Sequence, residues 1–188
     1  MQTQSGQESV IGAAAERLVP DTLSPDIFKQ AFRGHPAGVA IVTAEGRSGP
    51  VGLTATSVFS VSASPPLFAF SLSASSPTSE ALTNADTVVA HLLSIEQMEA
   101  AKLFSTSGAE RFADPSTWAR LETGEPYLLN ASIWIRGRIV ERLKMQAGSA
   151  TVVACHALEA RIAPGTHDPL VYHDRIWHRI GSHSQITG

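Results

Sequence analysis

Thr54-Ala55-Thr56-Ser57-Val58-Phe59-Ser60-Val61-Ser62-Ala63-Ser64-Pro65-Pro66-Leu67-Phe68-Ala69-Phe70-Ser71-Leu72 is the stretch whose reading decides the fold. It opens on small hydroxyl residues, alternates through Val58-Phe59-Ser60-Val61-Ser62, turns at the prolines and leaves as a second apolar run. β-Branched and aromatic residues in alternation suit a pleated, half-buried surface. Proline donates no ladder hydrogen bond, so Pro65-Pro66 separates two strands. By itself this is a hydroxyl-rich β-hairpin. Thr54, Thr56 and Ser57 can also donate and accept hydrogen bonds while leaving room for a flat ligand near the backbone.

Upstream, Ser24-Pro25-Asp26-Ile27 starts a helix, with serine as cap and proline at the first helical position. Ile27, Phe28, Ala31 and Phe32 give it one apolar face, and Gly34-His35-Pro36 ends it. A buried strand covers residues 38–44, and Glu45-Gly46-Arg47-Ser48-Gly49-Pro50 is a hairpin turn. A short helix is expected over residues 11–19.

Downstream, Ser73-Ala74-Ser75-Ser76-Pro77-Thr78 is a loop leading into a helix. Amides at a helix start with hydroxyls beside them form either an anion site or a plain cap. Residues 87–93 form a strand, and Ser94-Ile95-Glu96-Gln97 is a capping box opening the next helix. A polar connection over residues 108–124 holds Arg111-Phe112 and Trp118 and is long enough to carry function. Long strands are expected over 128–140 and 149–162, joined by a turn at Gln146-Ala147-Gly148. In the first of these, Ala131, Ile133, Ile135 and Ile139 share one phase, with Trp134 and Arg136 opposite. Leu170-Val171-Tyr172 and Arg175-Ile176-Trp177 are short strands around His173-Asp174. About seven or eight strands follow one another with three helices, which argues for an antiparallel barrel with peripheral helices.

A chain of 188 residues that is 43% hydrophobic builds a real core and is not a disordered protein. A net charge of -3 without like-charge blocks predicts no nucleic-acid surface and no polybasic membrane patch. Apolar runs fall short of the roughly 20 residues of a membrane helix, and the N-terminus lacks a secretion signal. The one cysteine, Cys155, excludes an internal disulfide and fits a reducing, cytoplasmic setting. Expected organisation is an N-terminal extension over 1–23, a domain over 24–181 and a tail over 182–188.

Five pieces in order resemble the flavin-reductase-like family of FMN-binding split barrels, which includes reductase components of two-component flavin monooxygenases. Pro36-Ala37-Gly38-Val39-Ala40-Ile41-Val42-Thr43 is similar to its opening strand. Thr54-Ala55-Thr56-Ser57, with Phe59-Ser60-Val61-Ser62 and Pro65-Pro66-Leu67, is similar to its flavin motif. Ser73-Ala74-Ser75-Ser76-Pro77-Thr78 resembles its phosphate loop. His91-Leu92-Leu93-Ser94, Gln97, Ala101, Phe104 and Arg111-Phe112 resemble its strand–helix–Arg-Phe segment. Pro169-Leu170-Val171-Tyr172-His173 resembles its closing strand.

The resemblance implies a six-stranded antiparallel Greek-key split β-barrel working as a homodimer, with FMN, or FAD, near the dimer interface. NADH or NADPH is the implied co-substrate, and a separate monooxygenase the implied partner. Thr54, Ala55, Thr56 and Ser57 would line the flavin ring. Ser71, Ser73, Ser75, Ser76 and Thr78 would surround the phosphate. His91 would reach the flavin or serve as a core histidine, and Arg111 would approach the phosphate or brace its loop. One departure stands out: where the family carries Gly-Asp-His, associated with nicotinamide binding, this chain reads Gly148-Ser149-Ala150. His167, His173 or His178 could substitute, and His173, in the closing strand, is the first candidate. A flavin-holding protein without nicotinamide turnover is the alternative reading. No metal site is expected.

Overall fold

The computed structural model describes residues 22–73, 77–145, 148–165 and 167–186. The helix expected over 11–19 and the turn residues Gln146 and Ala147 lie outside them. Two units are formed, Met1–Phe32 and Arg33–Gly188. The helix α1 (Pro25–Arg33), all but its last residue in the first unit, starts where its cap predicts, with the Ile27 amide donating to Ser24 Oγ at 3.3 Å. Phe28 and Phe32, one turn apart, bring their rings to 4.6 Å.

The second unit follows the order β1 (Ala37–Gly38), β2 (Ala40–Gly46), β3 (Gly49–Ala55), β4 (Phe59–Ala63), β5 (Pro66–Ser73), α2 (Pro77–Asn84), β6 (Thr87–Leu92), α3 (Met98–Ser105), β7 (Trp118–Arg120), β8 (Pro126–Leu128), β9 (Ile133–Lys144), β10 (Ala150–Ile162), β11 (Leu170–His173) and β12 (Ile176–Arg179). One 3-10 turn, Ile95–Gln97, leads into α3, and another, Ser182–Ser184, follows β12. Seven strands make one antiparallel sheet in the order β3-β2-β6-β9-β10-β5-β4. A second sheet holds β1, β11 and β12, and β7 pairs with β8.

The sheet order dictates a curl. β3 and β4 are consecutive in sequence but occupy opposite edges. Laid flat, six strand spacings would separate those edges by about 29 Å. The link from Ala55 to Phe59 reaches at most about 14 Å. The sheet must therefore roll until its edges approach, and β3 makes no ladder with β4, which leaves the barrel split.

Central strands are buried on both faces, as their unbroken apolar runs require. On β2, Val42 and Ala44 join Phe68, Phe70, Leu82, Val88, Ala90, Ile139 and Val153 inside the barrel. Ile41 points the other way, to Leu93, Ala101, Phe104, Leu128 and Leu170. Gly137 allows the inner packing: a Cβ there would lie 2.6 Å from the Phe68 ring.

Two strand expectations need correction. The strand over 38–44 is divided at Val39, which donates to the Leu170 carbonyl and accepts from the Leu93 amide as the chain passes from one sheet to the other. The strand over 128–140 is two strands, β8 and β9, separated by a turn that Gln97 holds through Nε2 to the Asn130 carbonyl at 2.8 Å. Trp134, on the phase opposite Ile133, Ile135 and Ile139, is only 5% exposed, with the Tyr127 ring of β8 5.8 Å from its own.

Candidate functional site

The Thr54–Ser57 segment lies where the two sheet edges approach. Thr54 Oγ1 donates to the Ala101 carbonyl at 2.6 Å, tying β3 to α3. Ser57 Oγ accepts from the Ser71 amide at 3.0 Å and donates to the Ser71 carbonyl at 3.2 Å. The β4–β5 ladder ends at Phe59 opposite Ala69, so this hydroxyl takes over a strand's role one step further on. Both hydroxyls are committed to the protein, and the segment offers a ligand chiefly its backbone. Thr56 differs: it is exposed, and its hydroxyl has no partner among the described residues. Ala55 is buried, while Ser71 and Ser73 are exposed along β5.

Thr78 sits in the first turn of α2, and Arg111 comes to it from the connection after α3. The guanidinium Nη1 donates to Thr78 Oγ1 at 3.4 Å. Nε and Nη2 donate to the Phe104 and Thr106 carbonyls at 3.2 and 2.8 Å. Those carbonyls close α3, where a cation is favoured by the helix dipole. Arginine carries five N–H donors, so this anchoring leaves further donors available. Carbonyls, not a carboxylate, brace the loop. Phe112 fixes it from behind, packing edge-on against Phe104 and Trp118 with ring centroids at 5.2 Å in both pairs. A cavity of about 400 Å3 lies beside this corner, lined by Gly52, Thr78, Arg111, Phe112 and Trp118 among others. Ser75 and Ser76 lie outside the described residues.

This donor set suits a phosphorylated ligand: a fixed guanidinium, a hydroxyl and the amide end of a helix converge beside a cleft. The groups expected to meet a flavin are thus divided between a backbone segment at the end of β3 and a cationic corner at α2.

His91 is placed otherwise. It is fully buried, with Nδ1 3.0 Å from the Ile41 carbonyl and Nε2 3.0 Å from the Leu128 amide nitrogen. An amide can only donate, so Nε2 is the acceptor and the proton sits on Nδ1. Burial drives the imidazole pKa down to about 4, with the Ile41 bond opposing. Neither nitrogen is left for a ligand, and the core-histidine reading is the one the geometry takes.

His173 ends β11 in the three-stranded sheet, its ring 5.7 Å from that of His178. No hydrogen bond joins it to the Thr54–Ser57 segment or to Arg111. Ala150, where the resemblance would place the family's histidine, faces Ser73 in the β10–β5 register. Sequence reasoning missed the contribution of the β2–β3 turn. Arg47 and Ser48 line a second cavity against α2, and a turn between strands carries no local signal that a helix will pack beside it.

The family described as flavin reductase like domain matches residues 32–181. An NADH:FMN oxidoreductase of Rhodococcus qingshengii is 40% identical over 157 residues, covering 81% of this chain and 80% of that protein. An FMN reductase (NADH), RutF 1, of Methylorubrum extorquens is 36% identical over 150 residues, covering 79% and 73%. Among solved structures, a flavin reductase domain protein from Arthrobacter sp. FB24 superposes with TM-score 0.77 at 33% identity, covering 83% of this chain and 95% of that one. The NADH:FAD oxidoreductase SgcE6 of Streptomyces globisporus C-1027, solved with NAD and FAD fragments, gives TM-score 0.75 at 25% identity, covering 84% and 93%. With a split barrel, a hydroxyl segment at its seam and an arginine at the start of α2, the chain belongs to the flavin reductase-like family.

Proposed function

We propose that this protein is an NADH-dependent FMN reductase, acting as a homodimer and supplying reduced flavin to a separate monooxygenase. The observation that carries the reading is the Thr78–Arg111 corner, beside a cleft and a short step along β3 from the Thr54–Ser57 segment. Relatives at 40 and 36% identity bear the names NADH:FMN oxidoreductase and FMN reductase (NADH).

When bound, flavin supplies the hydride-accepting centre, and the protein contributes position and electrostatics. Arg111 and Thr78 hold the phosphate end. The backbone of residues 54–57 and the Thr56 hydroxyl meet the ring. Ser57, fastened to Ser71, keeps that backbone fixed. Ser73 and the segment carrying Ser75 and Ser76 complete the phosphate surround. Ala150 brings no imidazole to the start of β10. His173 is proposed to act in place of the family's histidine, from the β11–β12 sheet.

The test is anaerobic mixing of FMN-loaded protein with NADH while the flavin's visible absorbance is followed. Rapid bleaching is expected. Tight flavin binding without bleaching would leave a flavin-holding protein and overturn the reductase reading.

A further inference from the structure

We propose that Arg120 is a positioning residue for the phosphate corner, holding Arg111 in place through Trp118 and so favouring phosphorylated over unphosphorylated flavin. The inference rests on the flavin reading above and adds to it a residue outside the binding groups. Arg120 ends β7, and its guanidinium reaches back 75 positions to Glu45 near the end of β2. Nε donates to Glu45 Oε2 and Nη2 to Oε1, each at 3.1 Å. A two-pronged pair fixes the plane and direction of an arginine, which a single ion contact does not. The same guanidinium lies 5.2 Å from the centroid of the Trp118 ring, within cation–π range. With side chains 46 and 40% exposed, the pair contributes little to global stability, so its use lies in local orientation.

Trp118 passes the constraint on. Its Nε1 donates to the Phe112 carbonyl at 3.1 Å, and its ring stands edge-on to the Phe112 ring at 5.2 Å. Phe112 follows Arg111 directly in the chain, so the indole fixes the backbone next to the guanidinium that donates to Thr78. The cavity at this corner has Pro50, Val51 and Gly52 of β3 on one wall and Arg111, Phe112 and Trp118 on the other. The Glu45–Arg120 pair joins the β2–β3 hairpin, which carries the first wall, to β7, which carries Trp118 of the second. Arg120 is not among the described residues lining this cavity, so it acts on a ligand through them. Glu45 and Glu80 line the neighbouring groove, and a carboxylate there opposes a phosphate. If Arg120 served only to neutralise Glu45, removing Glu45 would favour FMN. If the pair is a clamp, removing either partner weakens FMN.

Arg120→Ala and Glu45→Ala, both at exposed positions, are compared with wild type in fluorescence titrations of FMN and riboflavin, and thermal midpoints check folding. FMN binding is expected to weaken about fivefold in each variant, with riboflavin affinity unchanged. In an Arg111→Ala background neither substitution should weaken FMN further, because the group they position is gone. FMN affinity within about twofold of wild type in either variant, an equal loss for riboflavin, or losses that add to that of Arg111→Ala would overturn the positioning role. So would tighter FMN binding in Glu45→Ala, which marks Arg120 as a charge neutraliser. Wild-type protein that binds FMN no more tightly than riboflavin would sink the phosphate reading of Arg111 instead, and this inference with it.

Discussion

At the scale of single residues, His91 and Arg111 are opposites. His91 is neutral and internal. Its unfolded pKa of 6.5 falls to about 4 in the native state through burial. Above pH 6.5 neither state binds the proton and the full stability is present. As pH falls toward 4, the unfolded chain takes up a proton that the native chain refuses, and stability declines by about 3 kcal/mol in all. Glu125 titrates in a different window. Burial raises its carboxyl, but bonds from Arg136, Thr123 and Thr87 outweigh this and hold it at about 2, so its contribution is lost only below its ordinary 4.5. Urea midpoints between pH 6.5 and 4.5 should therefore slope in the wild type and flatten in His91→Leu. That variant should also lose about 2–4 kcal/mol at neutral pH, because the Ile41 carbonyl and Leu128 amide are left unpaired. Arg111 faces a cleft, and Arg111→Ala should weaken FMN binding at least tenfold, in line with about 1.5–3 kcal/mol for a charged hydrogen bond. Riboflavin, which lacks the phosphate, should bind both proteins alike; equal losses for the two ligands would show that Arg111 acts on the loop and not on the phosphate.

Among the elements, the seam between β3 and β5 and the crossing of β9 by Phe68 matter most. Ser57→Ala removes both bonds to Ser71. It should cost about 1 kcal/mol of stability and loosen the ring-binding segment, seen as faster amide exchange at Ser71. Gly137→Ala should cost about 1–3 kcal/mol, because its new methyl group meets a buried Phe68 ring carbon at 2.6 Å and Cys155 Cβ at 2.9 Å. A thermal midpoint unchanged from wild type would mean that the β9–β10 pair can shift to admit it. The sequence announced much at this scale. Ser24 capping α1, the Ser94–Gln97 box and the break before Pro66 are each written in a few neighbouring residues, and the structure has each. The break between β8 and β9 was not legible, because Gln97 holds it from 33 residues away.

For the whole molecule, the exposed edge is informative. β4 closes one end of the seven-stranded sheet and leaves Phe59 and Val61 53 and 52% exposed. An apolar edge of this kind invites pairing unless it is covered. Sedimentation equilibrium should give a dimer, and Val61→Lys should shift it toward monomer and weaken FMN binding together. A monomer that binds FMN as tightly as wild type would remove the partner subunit from the site.

The sequence by itself determined the mainly β character, the local caps and turns, and the ordered motifs that place the chain in its family. These rest on chemistry between residues a few positions apart, where propensity and hydrogen bonding are read directly. Only the tertiary structure decided that His91 is spent between Ile41 and Leu128, that Ser57 closes the seam at Ser71, and that Arg111 meets Thr78. Those partners stand 14 to 50 residues apart in the chain. Which of them meet was fixed by the sheet order and by the short β3–β4 link that forces the sheet to roll.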